Sequence, residues 1–370
     1  MALEAQLSDP PGLNGEASII AQIWSKNFQE YRVEHYRSYF RYYGTECRRL
    51  RLGISKDGWL SSTMVAQTHE HILLIVRMFS KHGVLYRPAL RGLMQSHFGN
   101  TNTLAFNRSI DFALRVFLTI NVREECFRTH TPRTPTIQWD DTCSLTEFVS
   151  RNFPRATTTA GSLQLDHTFT AANMHRLSGI DIEWTPCLAD HLRFDNRRRL
   201  LRIYPFKQIL LDHLHLCNIA SNGNEKHLKS RQRTVLPESV LRETLLSLSL
   251  LFPRGDTATE DFMLQHDHTF HLEGPFNESR PHNLADFDHW RNRLLEVHQI
   301  FHSPPVGWTQ IWADRRNPLQ WYTFWIAIVI LVFTVVFGII STVVGILQTC
   351  LAYESVRLAR LQLDAARDYV

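Results

Sequence analysis

The sequence predicts a mainly α-helical (α+β) soluble domain with a small wing-like β element, followed by one C-terminal transmembrane helix. Three observations predict it. The stretch Tyr322–Cys350 contains no Asp, Glu, Lys, Arg, His or Pro, and roughly 20 apolar residues already cross a bilayer core. Upstream, apolar residues recur at spacings of three and four, bounded by capping residues, Gly and Pro. Ile180, Ile182 and Trp184 alternate as in a strand half-buried on one face.

The elements follow in order. Residues 1–18 carry Asp9, Pro10, Pro11, Gly12, Asn14 and Gly15 and read as a flexible tail with no signal core. Ile19 to Tyr43 reads as one aromatic-rich helix with Trp24, Phe28, Tyr31, His35, Tyr39 and Tyr42 on a packing face. Ser61, Ser62 and Thr63 offer caps for a helix through Ile72, Ile75, Val76 and Phe79 that ends at Gly83. Pro88 opens a short helix closed by Gly99, and a third begins near Asn102. Together they complete a helical subdomain over residues 19–160, which also holds a capping box, Ser144 to Glu147.

A second subdomain, α+β and helical, is predicted over residues 161–302. Phe169–Leu177 is helical, Leu200–Tyr204 a strand after the charged turn Asp195–Arg199, and Phe206–Leu216 helical again. Asn222–Arg233 reads as an exposed loop. Pro237 opens an apolar helix, Val240–Phe252, too short to cross a membrane. Pro253–Asn283 reads as irregular, and Leu284–Phe301 as the last soluble helix. Residues 303–320 form a linker and interfacial aromatic segment, 321–351 the transmembrane helix, and 352–370 a short amphipathic helical tail.

Composition bounds the function. With 370 residues, 21% charged and 44% hydrophobic, the chain is too polar for a polytopic membrane protein. A formal charge of +4 gives no electrostatic footprint for nucleic acid. The cysteines at 47, 126, 143, 187, 217 and 350 form no CxxC pair and read as reduced, mostly buried thiols. With no signal core, the arrangement is that of a tail-anchored protein with a cytosolic N-terminal domain. Two sequons, Asn107-Arg108-Ser109 and Asn277-Glu278-Ser279, are expected to stay unused. The span and its mixed-charge tail favour the ER or secretory membranes over the mitochondrial outer membrane.

Trp321, Tyr322 and Trp325 on one side of the span and Tyr353 on the other are expected as interfacial anchors, because their rings favour the headgroup level. Within the span Thr334, Gly338, Ser341, Gly345 and Gln348 step by four, three, four and three. The stripe continues as Ala352, Ser355, Ala359, Gln362 and Ala366. Small residues let helices approach closely in lipid, so the stripe predicts self-association or packing against another helix.

The chemical signals are thinner. His266, His268 and His271 supply imidazoles suited to zinc, copper or nickel, with a polar surface loop as the plainer reading. His69, Glu70 and His71 read as surface groups. Arg197, Arg198, Arg199 and Arg202 form a basic patch that suits a solvated turn or acidic headgroups. There is no P-loop, Gly-rich dinucleotide fingerprint, nucleophile elbow or kinase signature; neither catalytic residues nor a cofactor are predicted.

Two blocks carry a resemblance. FTAANMHRLSGIDIEWTPCLADHLRFD with RRLLRIYPFKQILLDHL, within residues 169–214, and ADRRNPLQWYTFWIAIVILVFTVVFGIISTVVGILQ, residues 313–348, resemble a family of uncharacterised fungal membrane-anchored proteins. The resemblance implies an architecture and no catalytic residues. Some fungal proteins with a similar tail are compared with CorA-type magnesium transporters, but the Gly-Met-Asn signature is absent here and one span cannot form the two-helix subunit. The leading expectation is a non-enzymatic interaction or scaffold module. Its partners would be membrane lipid, a cytosolic protein and a second copy through the span. A metal-binding or enzymatic domain, or an oligomeric ion conduit, is the alternative.

Overall fold

The computed structural model describes residues 3–24, 33–57, 64–81, 85–99, 102–122, 139–157, 163–221, 234–266, 280–303 and 318–367. The chain forms two compact units, Met1–Ser303 and Pro304–Val370. The first is mainly helical with a small sheet, and the second contains one long apolar helix.

In the first unit the described helices are α1 (Leu13–Trp24), α2 (Arg37–Asp57), α3 (His69–Lys81), α4 (Arg87–Phe98), α5 (Thr103–Leu118), α6 (Leu145–Asn152), α7 (Ala171–Ser178), α8 (Lys207–Ser221), α9 (Glu238–Leu251), α10 (Thr257–Gln265) and α11 (Arg291–Phe301). Strands β1 (Asp181–Trp184), β2 (Phe194–Asp195) and β3 (Leu200–Ile203) make a sheet of order β1-β3-β2. Strand β3 runs parallel to β1 and antiparallel to β2. Asp181 stands opposite Leu200 and Trp184 opposite Ile203. The alternation read from Ile180, Ile182 and Trp184 thus marks a real strand.

One hydrophobic cluster runs from Leu7 to Phe301 and draws on both sides of residue 160. At its centre α8 packs on α9 and on α1, and α3 packs on α5. Trp24, Tyr36, Tyr39, Tyr43, Phe112, Phe117 and Tyr204 are fully buried in it. Their polar ends are tied off: Tyr36 donates to the Asp212 carboxylate (2.6 Å), Tyr39 to the Val116 carbonyl (2.8 Å), and Tyr204 pairs with the Thr119 hydroxyl (2.8 Å). A buried phenol needs such a partner to offset lost hydration.

Several local readings hold. Ser144 caps α6 by accepting from the Glu147 amide (3.2 Å), and Asn102 caps α5 through the Leu104 amide (3.0 Å). Thr170, not singled out from the sequence, caps α7 through the Asn173 amide (3.2 Å). Gly179 ends α7 at φ 58°, where the Ile180 amide reaches back to the Met174 carbonyl. A left-handed residue at this position suits glycine.

Others are corrected. The predicted aromatic helix Ile19–Tyr43 is interrupted by a 3₁₀ turn at Val33–Tyr36, between α1 and α2, while Phe28 and Tyr31 lie outside the described residues. The N-terminal segment is docked: Leu7 is buried, Gln6 bridges Thr68, and the Glu70 amide donates to the Leu3 carbonyl. Helix α3 starts at His69, later than predicted, because Thr68 supplies the cap through the His71 amide (3.3 Å). Pro253–Asn283 contains α10, where Phe262 and Met263 are buried. Leu284–Phe301 is not one helix. The Glu243 carboxylate accepts from the His289 (2.7 Å) and Trp290 (3.2 Å) amides, fixing the start of α11 there, and a short 3₁₀ turn occupies Leu284–Asp286. The predicted loop Asn222–Arg233 lies outside the described residues.

The second unit holds α12, Pro318–Arg367, a single helix of 50 residues. At 1.5 Å per residue it is about 75 Å long. Trp321–Leu361 is long and apolar enough to cross a membrane, and none of its most apolar stretch is buried against protein. The predicted tail from Ala352 continues the same helix without a break through Arg367.

Candidate functional site

The candidate anchor rests on the spacing of residues along α12. Twenty-eight positions separate Trp325 from Tyr353, about 42 Å along a straight helix. That matches the roughly 40–45 Å of a bilayer with its headgroup layers. Trp321 and Trp325 sit one turn apart with ring centroids 5.9 Å from each other, and Trp321 lies edge-on to Tyr322 at 5.2 Å. Tyr322 and Tyr353 are exposed. Amphipathic rings at both ends suit a helix whose middle is hydrocarbon.

The small-residue stripe lies along this helix, and its threonine hydroxyl is occupied. Thr334 donates to the Ile330 carbonyl (2.8 Å), and off the stripe Thr342 and Thr349 donate to the Gly338 and Gly345 carbonyls (2.8 Å each). Such i−4 bonds let Thr sit in lipid without an outside partner. A Cβ built on Gly338 or Gly345 meets nothing within 4 Å. Neither glycine is therefore required by contacts within the chain, and both leave the helix backbone open to close approach. Ser341 and Gly345 stand four apart, the small-xxx-small spacing that lets helices pack in lipid. Gln348 falls about 14 Å from the midpoint between Trp325 and Tyr353, at the edge of the hydrocarbon. Its amide there is near the polar layer.

The predicted basic patch divides. Arg197 and Arg198 are exposed in the turn between β2 and β3, where both amides donate to Asp195 Oδ1 (3.0 and 3.3 Å). Arg199 takes a left-handed φ of 52° and its guanidinium donates to the Ser178 carbonyl (2.6 Å). Arg202 is buried on β3 and pairs with Glu183 on β1 at 2.8 Å. It is a cross-strand tie and not a surface charge, because inward-facing β3 positions have no access to solvent. Asp190, buried, is met by Arg193 at 3.3 Å, while burial pushes its carboxyl above the usual range.

Of the three predicted metal ligands, His268 and His271 lie outside the described residues, and His266 stands at the C-terminal cap of α10. Among the described residues no group of three or more His, Cys, Asp or Glu side chains is placed to hold a metal ion. His266 instead lies beside His175 of α7, ring centroids 6.3 Å apart.

Two buried histidine ties carry no local signature in the sequence. His69, expected on the surface, is fully buried between the Tyr43 hydroxyl and the Asp9 carbonyl, 2.9 Å from each. His191 Nδ1 accepts from the Tyr204 amide (3.1 Å), so its proton sits on Nε2, which donates to Ser247 Oγ at 2.7 Å. The Ser–His distance suits a nucleophile and its base, but the tautomer is the reverse of what a base needs. Ser247 itself donates to the Thr244 carbonyl (2.7 Å). The pair is a structural tie.

Among the described residues, the thiols of the N-terminal unit are equally inert. Cys47, Cys143 and Cys187 are buried. Burial pushes the Cys47 thiol up to about 12 and the Cys187 and Cys217 thiols up to about 11, so little reactive thiolate forms near neutral pH. Asn107 of the first sequon sits within α5, half-buried, its side-chain carbonyl taken by Arg91 (3.0 Å). Set beside known proteins, the chain matches no family model, no curated protein and no solved structure.

Proposed function

We propose that this chain is a single-pass membrane-anchored interaction or scaffold protein, non-enzymatic, which tethers its N-terminal helical unit to a membrane. The carrying observation is α12: an unbroken apolar helix, unburied by protein, with aromatic rings spaced to the thickness of a bilayer. The N-terminal unit faces the cytosol in this reading, the anchor sits in the ER or secretory membranes, and a cytosolic protein is the partner. Kinship with the fungal membrane-anchored proteins belongs to the same proposal and rests on residues 169–214 and 313–348.

Self-association through Gly338, Ser341 and Gly345 is part of the proposal. It is supported by the open backbone at both glycines and by a stripe that continues to Ala366. A hydrogen bond from Gln348 across such a contact would contribute roughly 0.6–2 kcal/mol.

The test is an engineered glycosylation acceptor placed after Val370, together with alkaline extraction of membranes. A glycosylated acceptor on a protein that resists extraction is the expected outcome. An unmodified acceptor with glycans added to the N-terminal unit inverts the topology and removes the cytosolic scaffold. Release by alkali removes the anchor itself.

A further inference from the structure

Helices α7 and α10 pack together and bring His175 and His266 side by side from sequence positions far apart. His266 Nδ1 lies 2.8 Å from the Phe262 carbonyl. A carbonyl only accepts, so Nδ1 carries the proton and Nε2 keeps its lone pair. His175 Nδ1 lies 3.2 Å from Asp181 Oδ1 at the start of β1. The carboxylate holds a proton on that nitrogen and likewise leaves Nε2 as the basic atom. No described residue engages either Nε2. The rings are nearly perpendicular, 84°, with centroids 6.3 Å apart, and the His175 side chain is 47% exposed.

This is the outer arrangement that metal-binding imidazoles share: one ring nitrogen tied to a carboxylate or a backbone carbonyl, the other free for the ion. Two imidazoles on one ion at about 2.0–2.1 Å bring their centroids to roughly 5–6 Å, within a small rotation of the exposed His175 ring. We propose that His175 and His266 form a two-imidazole site for a divalent transition metal of the zinc, nickel or copper kind, with water in its remaining positions. Imidazole selects these ions over magnesium or calcium, which prefer oxygen. Asp181 is a positioning residue that orients His175. The site draws on two helices, where the sequence had set His266 with His268 and His271, and it stands independently of the membrane anchor.

The experiment uses the full chain in detergent, stripped with chelator and titrated with Cu²⁺ alone. Paramagnetic resonance counts the bound nitrogens, and calorimetry with Zn²⁺ gives the affinity. The expected result is one saturable ion with two imidazole nitrogens. That signal disappears in both His175→Ala and His266→Ala and persists in His97→Ala, an exposed histidine elsewhere. Asp181→Asn weakens binding by about tenfold or more. Circular dichroism melts of each variant show that the fold is retained, and His175→Gln repeats the test with a side chain that stays polar. Binding that survives His175→Ala, or that is removed by His268→Ala or His271→Ala instead, overturns the pair. So does wild-type binding no tighter than that of the His175→Ala/His266→Ala double variant.

Discussion

His69 Nδ1 lies 2.9 Å from the Tyr43 hydroxyl, joining α3 to α2 in the core, while Nε2 reaches the Asp9 carbonyl at the same distance. The carbonyl fixes the proton on Nε2, so Nδ1 accepts from the tyrosine. One neutral ring thus satisfies two buried groups and pins the N-terminal segment. Burial pushes the His69 ring down, against the opposing effect of the Asp9 carbonyl. His69→Leu strands both partners. The expected cost is about 1–3 kcal/mol, with lost hydrogen-exchange protection at Leu7, whose amide donates to the Gln67 carbonyl (2.7 Å). An unchanged denaturation midpoint with unchanged protection would show that the ring holds nothing.

The buried histidines make stability depend on pH. His191 is pushed down to about 3, by burial and then by nearby Arg293, and His213 to about 4 by burial. His213 sits between the Phe117 carbonyl (3.1 Å) and the Thr234 hydroxyl (2.9 Å). Both rings stay neutral in the folded state, whereas the unfolded chain takes up protons near pH 6.5. The unfolded state then binds more protons, so stability falls as pH drops below about 6.5 and continues to fall toward the folded values. Each ring adds up to about 1.4 kcal/mol per pH unit in that window. Asp190, raised by burial, acts in the opposite sense at lower pH, so the comparison belongs between pH 7 and 5. Urea midpoints that stay flat over that range contradict the assignment. His213→Gln should reduce the slope.

Arg87 and Asp111 form a buried ion pair between α4 and α5, and Arg87 also donates to the Trp139 carbonyl (2.8 Å) and lies over its ring. Removing one member leaves a buried charge. Asp111→Ala is expected to cost about 3–5 kcal/mol, while Arg87→Met/Asp111→Leu costs clearly less than the two single changes together. A double variant that equals the sum of the singles would mean that the two groups act independently.

Local signals survived the passage from sequence to structure, and long-range ones did not. The Ser144–Glu147 box and the helix start at Asn102 depend on neighbours within a turn, and both were readable in advance. His69 misled because its partners, Tyr43 and Asp9, come from other elements; a histidine beside Glu70 reads as polar surface until the tail is seen to fold back. The tail misled for a related reason. Pro10, Pro11 and Gly12 read as flexible, and the apolar contacts Leu3 and Leu7 give no periodicity. Helix α10 buries only Phe262, Met263 and Thr259, too few for a pattern, although Asp256 ahead of it, 2.6 Å from the Thr259 hydroxyl, marked the helix start. Sequence set His266 beside His268 and His271, which lie outside the described residues, while packing sets it beside His175. The long apolar helix α12 needed no packing information at all, since its length and composition already state it.

That independence makes α12 the cleanest place to test association. In a packed domain a Gly→Ile change confounds a lost contact with a clash inside the monomer. Here a Cβ at Gly345 or Gly338 meets nothing within 4 Å, and neither residue has a left-handed φ. Isoleucine at either position raises apolarity and spares the backbone entropy that glycine loses in a helix. Gly345→Ile should therefore insert and accumulate as wild type does. Any loss of crosslinked dimer in native membranes then reports on close helix–helix approach. The expected result is a several-fold drop in dimer for Gly345→Ile and for Gly338→Ile, with no change for Val343→Ile, which lies off the stripe. Equal crosslinking in all three would remove self-association from the proposed function and leave α12 as an anchor alone.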